Sequence, residues 1–146
     1  MSQADALNYR VDYVAVHFYK CGWNASQYYN WLLGIYQTTG RPTWITEFNN
    51  GANWCAGTPP TLSENDTRIG EFIDMLDNAP FVERYAIYNW VGATRELVTG
   101  GSLNPTGVTY RDNASPLAFV QPPPPGALLG QWTQVATSGS LHRTSW

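Results

Sequence analysis

Pro42-Thr43-Trp44-Ile45-Thr46-Glu47-Phe48-Asn49 decides how this chain reads, because an otherwise uncharged, β-favouring run ends there in a single carboxylate. Thr, Trp, Ile and Phe favour a pleated, mostly buried strand, and Pro42 marks a start where no ladder donor is required. Asn49-Asn50-Gly51 then breaks the run. In parallel α/β architectures functional side chains gather where strands pass into loops at their carboxyl ends, which is the address of Glu47. An isolated strand-end Glu also fits a plain edge cap, so the neighbouring segments decide between the two.

Upstream, Val11 to Tyr19 is an apolar run ending in His17, Phe18 and Tyr19, and reads as a buried strand. From Ser26 to Thr38 the residues Tyr28, Trp31, Leu32, Ile35 and Tyr36 recur at helical spacing, and Gly40 provides a stop. Downstream, Ser63 is expected to cap a second helix with Asp66 three residues on, Ile69, Phe72, Ile73 and Leu76 forming its buried stripe and Pro80 ending it. Arg84 to Trp90 follows as a third strand. Strand, helix, strand, helix, strand implies an α/β fold with a parallel sheet covered by helices. Residues two apart in a strand share a face, so Glu47 is expected to share one with Ile45 and Thr43. His17 and Tyr19 would share a face with Tyr13 and Ala15, and Trp90 with Ala86 and Tyr88. His17, Glu47 and Trp90 would then meet at one rim. A carboxylate, polar orienting groups and an indole face are what a sugar site requires. Singly, His17 also fits a satisfied structural histidine and Trp90 a core residue.

Composition narrows the partners. Only 13% of the 146 residues are charged while 14% are aromatic and 43% hydrophobic, a profile that disfavours disorder and suits neutral ligands such as sugars. A net charge of −3 without a basic run argues against nucleic acid, and the absence of a long apolar span argues against a membrane partner. Met1-Ser2-Gln3-Ala4-Asp5 has neither the positive nor the apolar region of a secretion signal, so export, if it occurs, is encoded elsewhere.

In this order VDYVAVHFY, PTWITEFN and RYAIYNW resemble the last three barrel strands of glycoside hydrolase family 128, the alkali-sensitive-linkage-type catalytic core related to the retaining (β/α)8 glycosidases. Leu103-Asn104-Pro105-Thr106-Gly107 through Tyr110-Arg111 is similar to the family's closing segment, so that the match runs from about residue 8 to 120. The resemblance implies a partial TIM-type barrel, with Glu47 as the nucleophile. It also makes Trp90 an aromatic platform and lines the cleft with His17 and Tyr19. Asn49 and Trp54 are further candidates for substrate contact. The implied substrate is a β-glucan polysaccharide or oligosaccharide, β-1,3-linked, handled without a cofactor or metal.

The chain also departs from the family pattern. A retaining glycosidase needs a second carboxyl group about 5–5.5 Å from the nucleophile. In the related clan it lies on the fourth strand, commonly as Asn-Glu, and no such dipeptide occurs here. Glu64, Asp66, Glu71, Asp74 and Asp77 fall on the second helix, mostly on its solvent side; Glu96 is the one other acid expected to approach the rim, where Arg95 beside it favours an ordinary exposed charged loop over a catalytic role. A complete barrel takes about 250 residues, so the acid/base and the first strands are expected upstream, in an N-terminal half without which the fold is incomplete. The alternative is a non-catalytic or degenerate scaffold that binds glucan through Tyr19, Trp54 and Trp90.

Cys21 and Cys55 follow the first and second strands in loops that would neighbour each other, and spacing alone leaves a disulfide undecided. With so few histidines they do not suggest zinc. In the full-length protein an extracellular or cell-surface location is expected. Beyond residue 120, Pro122 to Pro125 within 121–126 reads as a semi-rigid linker, and 127–146 as the start of an appended module or an unstructured tail.

Overall fold

The computed structural model describes residues 2–113; the expected linker at 121–126 and the tail at 127–146 lie outside the described residues. A short helix α1 (Ser2–Ala6) leads to β1 (Val14–Phe18), α2 (Ala25–Thr39), β2 (Thr43–Phe48), α3 (Leu62–Asn78) and β3 (Val82–Ile87). A 3-10 turn (Ala93–Arg95), a small antiparallel hairpin of β4 (Val98–Thr99) and β5 (Ser102–Leu103), and α4 (Pro105–Asp112) follow. The three main strands form one parallel sheet in the order β1-β2-β3. This is a partial TIM-type arrangement: successive parallel strands joined by helices that cover one face.

Both covering helices are fixed by local chemistry at their ends. Asn24 caps α2 by accepting from the Gln27 amide at 2.9 Å, while the Gln27 side chain returns to the Asn24 N–H at 3.0 Å. Gly40, at φ 62°, closes α2 in the left-handed conformation and donates to the Tyr36 carbonyl. In α3 the cap is Thr61 and not Ser63. Its hydroxyl accepts from the Glu64 amide at 3.2 Å, and Glu64 Oε2 takes the Thr61 N–H at 2.7 Å. The Thr61 N–H first, and then the Thr61 hydroxyl, which donates to Oε2 at 2.8 Å, hold the Glu64 carboxyl below its ordinary range. The acids of α3 are not all on the solvent side either. Asp77 is buried and accepts from Tyr85 at 2.8 Å and from Asn113 at 2.8 Å.

The core lies between one face of the sheet and α2 with α3, built from Phe18, Ile45, Phe48, Tyr28, Leu32, Ile69, Phe72 and Leu76. Each large side chain so buried contributes about 1.5–3 kcal/mol relative to exposure. Phe18 stacks on Tyr28 and meets Phe72 edge-on. The Tyr28 hydroxyl has no hydrogen-bond partner among the described residues. Burial pushes this phenol well above its ordinary range. Tyr28→Phe is therefore expected to leave folding unchanged or to stabilise it by up to about 1 kcal/mol, checked by urea unfolding. The raised value also sets a sign with pH: the contribution is intact below the unfolded value near pH 10 and declines as pH rises towards the folded one, because only the unfolded phenol ionises freely. The same substitution should weaken that alkaline loss.

At the amino ends of the strands Trp44 donates from Nε1 to Glu83 at 2.8 Å, stacks on Tyr13, and lies under the Arg84 guanidinium. Conserving such a cluster would serve stability, since chemistry in barrels sits at the opposite, carboxyl end.

The register of β2 overturns one expectation. Val16 pairs with Ile45, but His17 pairs with Glu47, so Thr46 is an extra residue, and the β3 pairing skips in the same stretch. Thr43, Ile45 and Phe48 therefore all point into the core, while Glu47 does not share their face. A regular alternation through these residues would have placed the carboxylate beneath the helices. The bulge turns it to the open face. β3 also sits earlier than Arg84–Trp90, ending at Ile87, which leaves Trp90 in the following loop.

Candidate active site

Glu47 stands at the carboxyl end of the middle strand, and its side chain is about one-third exposed, at 34%. Tyr19, just past β1, donates its hydroxyl to Glu47 Oε2 at 2.7 Å. His17 Nδ1 lies 3.3 Å from the same oxygen and can donate to it when protonated at that nitrogen. No hydrogen bond reaches Oε1 from the described residues, so one carboxylate oxygen is anchored while the other is left to act. Burial first, and then the hydrogen bond and charge of Glu47, push Tyr19 well above the ordinary phenol range. The shift favours Tyr19 as a protonated donor to the carboxylate.

Aromatic rings surround this pair. Trp54 and Tyr88 both meet the Tyr19 ring edge-on, with centroids 5.5 Å and 6.2 Å away. Trp54 is 66% exposed, which leaves indole surface for a ligand. Tyr88 belongs to the site although the sequence marked it only as a face-mate of Trp90. An open groove of about 340 Å³ runs from Trp44 past Thr46 and Glu47 to Arg84, Ala86 and Tyr88. It follows the sheet face that the helices leave open, with mostly apolar walls, and reaches the carboxylate only at its carboxyl end.

The other expected residues divide. Trp90 is 79% exposed and lies in the loop after β3. His17 and Glu47 meet directly, while the indole is carried by the loop that follows Ile87 and not by the strand itself. Asn49 is fully buried, with its amide turned to backbone carbonyls, so it does not face a ligand. Cys21 and Cys55 are joined by a disulfide with Cα atoms 5.6 Å apart, tying the loop after β1 to the loop after β2. Gly51 makes room for it: at φ +69° a Cβ would sit 2.6 Å from Cys55 Sγ. Arg95 departs furthest from the reading of an exposed loop. It is only 8% exposed and donates from Nε to the Asn50 carbonyl at 2.6 Å, and burial lowers its pKa from the ordinary guanidinium value. Its neighbour Glu96 is half-buried and holds Asn104 through its backbone carbonyl. Among the described residues no three His, Cys, Asp or Glu side chains are grouped to hold a metal, and no helix is long and apolar enough to cross a membrane.

Parallel strands that carry a braced carboxylate and an aromatic rim at their carboxyl ends place this chain among barrel-type α/β proteins whose sites sit at the strand ends. A family model described as the glycosyl hydrolase catalytic core matches residues 1–110, and the chain belongs to that family. Its structural likenesses lie in glycoside hydrolase family 128. An endo-β-1,3-glucanase of subgroup I from Amycolatopsis mediterranei, solved with laminaritriose and laminaribiose, is 32% identical with a TM-score of 0.65. That likeness covers 76% of this chain and 48% of the glucanase, so the chain spans about half the length of the structure it resembles. A subgroup VII oligosaccharide-binding protein from Trichoderma gamsii shares the fold at 22% identity and a TM-score of 0.61, over 70% of this chain and 41% of its own. A subgroup V exo-β-1,3-glucanase from Cryptococcus neoformans does so at 16% identity and 0.55, over 67% and 42%. Curated proteins yield no match.

Proposed function

We propose that this chain forms the carboxyl-terminal part of a retaining glycoside hydrolase that cleaves β-1,3-glucan, with Glu47 as nucleophile. The observation that carries the reading is the unequal treatment of the two Glu47 oxygens: one accepts from Tyr19 at 2.7 Å and lies 3.3 Å from His17 Nδ1, while the other receives no hydrogen bond from the described residues. In the proposed reaction Oε1 attacks the anomeric carbon and the bond to the leaving oxygen breaks. A carboxylic acid from an upstream segment protonates that oxygen. The same group then removes a proton from water, which attacks the anomeric carbon and releases Glu47. Tyr19 orients the carboxylate throughout, while Trp54, Tyr88 and Trp90 offer faces for neighbouring sugar rings. The laminari-oligosaccharides bound by the 32%-identical glucanase support the substrate class. The Cys21–Cys55 bridge supports an exported protein, because such bonds persist in oxidising compartments.

Within the described residues the outer edges of β1 and β3 are unpaired, and the face bearing Trp44, Thr46 and Arg84 has no covering layer. The chain alone is therefore expected to melt without a cooperative transition and to release no reducing sugar from laminarin. Joined to the upstream segment, it should melt cooperatively and hydrolyse laminarin. A cooperative melt with laminarin hydrolysis by the chain alone would refute the divided site. A joined protein that binds laminari-oligosaccharides without cleaving them would favour the second reading, a glucan-binding scaffold, to which the exposed indoles of Trp54 and Trp90 also lend themselves.

A further inference from the structure

Asn49 lies two residues beyond Glu47, yet its side chain is fully buried. Its Nδ2 donates to the carbonyl of Tyr88 at 2.8 Å and to that of Arg95 at 3.0 Å, using both protons of the amide. Its Oδ1 accepts the Asn50 N–H at 2.7 Å. The two accepting carbonyls bracket the segment 88–95, so one side chain closes the base of the loop that carries Trp90. Further braces run the same way. Arg95 Nε returns to the Asn50 carbonyl at 2.6 Å, and Gly92, at φ +109°, lets the loop lie against Asn53, where a Cβ would come within 3.3 Å of the Asn53 Cβ. Val91, next to the exposed Trp90, is itself buried.

We infer that Asn49 is a positioning residue that fixes the Trp90 indole relative to Glu47, coupling a sugar-ring platform to the carboxylate through the loop after β2. The inference rests on the glucan-cleaving reading above and extends it to the part of the site that holds the chain of sugars. A staple of this kind has chemistry that a substitute cannot copy. Removing it deprives the part-buried Tyr88 carbonyl and the buried Arg95 carbonyl of this donor, and the loop relaxes towards water to satisfy them. The carboxylate keeps its own braces from Tyr19 and His17, which come from the other side.

The test is a double-mutant cycle on laminari-oligosaccharide hydrolysis and binding, made in the chain joined to the upstream segment. Trp90→Ala and Asn49→Ala should each raise KM about five- to tenfold with kcat changed less than about twofold, as expected for loss of one aromatic contact. The double variant should be no worse than Trp90→Ala alone, because Asn49 acts through that indole. If Asn49→Ala fails to fold, Gly92→Ala perturbs the same loop from its strained glycine, and the same non-additivity with Trp90→Ala is expected. Multiplicative effects in either cycle, or a Trp90→Ala without effect on KM, overturn the inference and leave the role of Glu47 intact. Failure of the underlying reading looks different: Glu47→Gln would then retain turnover.

Discussion

Glu47→Gln is expected to lower kcat by at least about 1,000-fold, roughly 4 kcal/mol of transition-state stabilisation, while laminari-oligosaccharide binding stays within a few-fold of the parent. The amide matches the carboxylate in shape and still accepts from Tyr19, so the braces at 2.7 Å and 3.3 Å need not collapse. What it cannot do is attack an anomeric carbon, since its oxygen carries no negative charge and cannot give the glycosyl ester. Steady-state kinetics and calorimetric binding on the same preparation separate the two effects. A loss below about tenfold would mean that Glu47 is not the nucleophile. Complete retention of binding also guards against a trivial explanation, because a misfolded rim would lose the aromatic faces of Trp54 and Tyr88 together with the chemistry.

The second large effect concerns folding. Phe18→Ala is expected to cost about 3–5 kcal/mol, measured by denaturant unfolding of the chain joined to its upstream segment. Phe18 is 1% exposed, stacked on Tyr28 and edge-on to Phe72, so truncation opens a cavity that rigid rings on two helices cannot fill. Its position on β1 also matters for the site. Phe18 faces the core between His17 and Tyr19, which lie to either side in sequence and both reach Glu47. A cost below about 1 kcal/mol would show that the core between sheet and helices is not the one described.

Much of the architecture was legible because the periodicities were strong. The stripe of Ile69, Phe72, Ile73 and Leu76 and the stop at Gly40 behave in space as they read in sequence. The start of α3 is legible too, in the T-x-x-E box that Thr61 and Glu64 form directly after Pro59-Pro60, two residues ahead of the Ser63 alternative. Glu47 stands out in sequence but its facing does not follow from it, since strict alternation assumes a regular strand. The spacing of Ile45 and Phe48, three apart and both apolar, was the available sign of an inserted residue. Arg95 and Asn49 were beyond reach. Their partners, Asn50 for one and the Tyr88 and Arg95 carbonyls for the other, lie about 40 residues or more away along the chain and are joined only by tertiary structure. Residue type alone made one look exposed and the other look ligand-facing. The bridge between Cys21 and Cys55 likewise depends on a distance that spacing does not encode.

Thr46 divides β2 into two lengths that answer to different demands. Changes before it, at Thr43 or Ile45, should register in thermal denaturation, whereas changes at Glu47 should register in turnover. When relatives are aligned through this stretch, a gap or insertion beside Thr46 alters the phase of every position on one side of it. A homologue lacking the extra residue can keep the same aim for its acid only if its apolar residues are respaced as well.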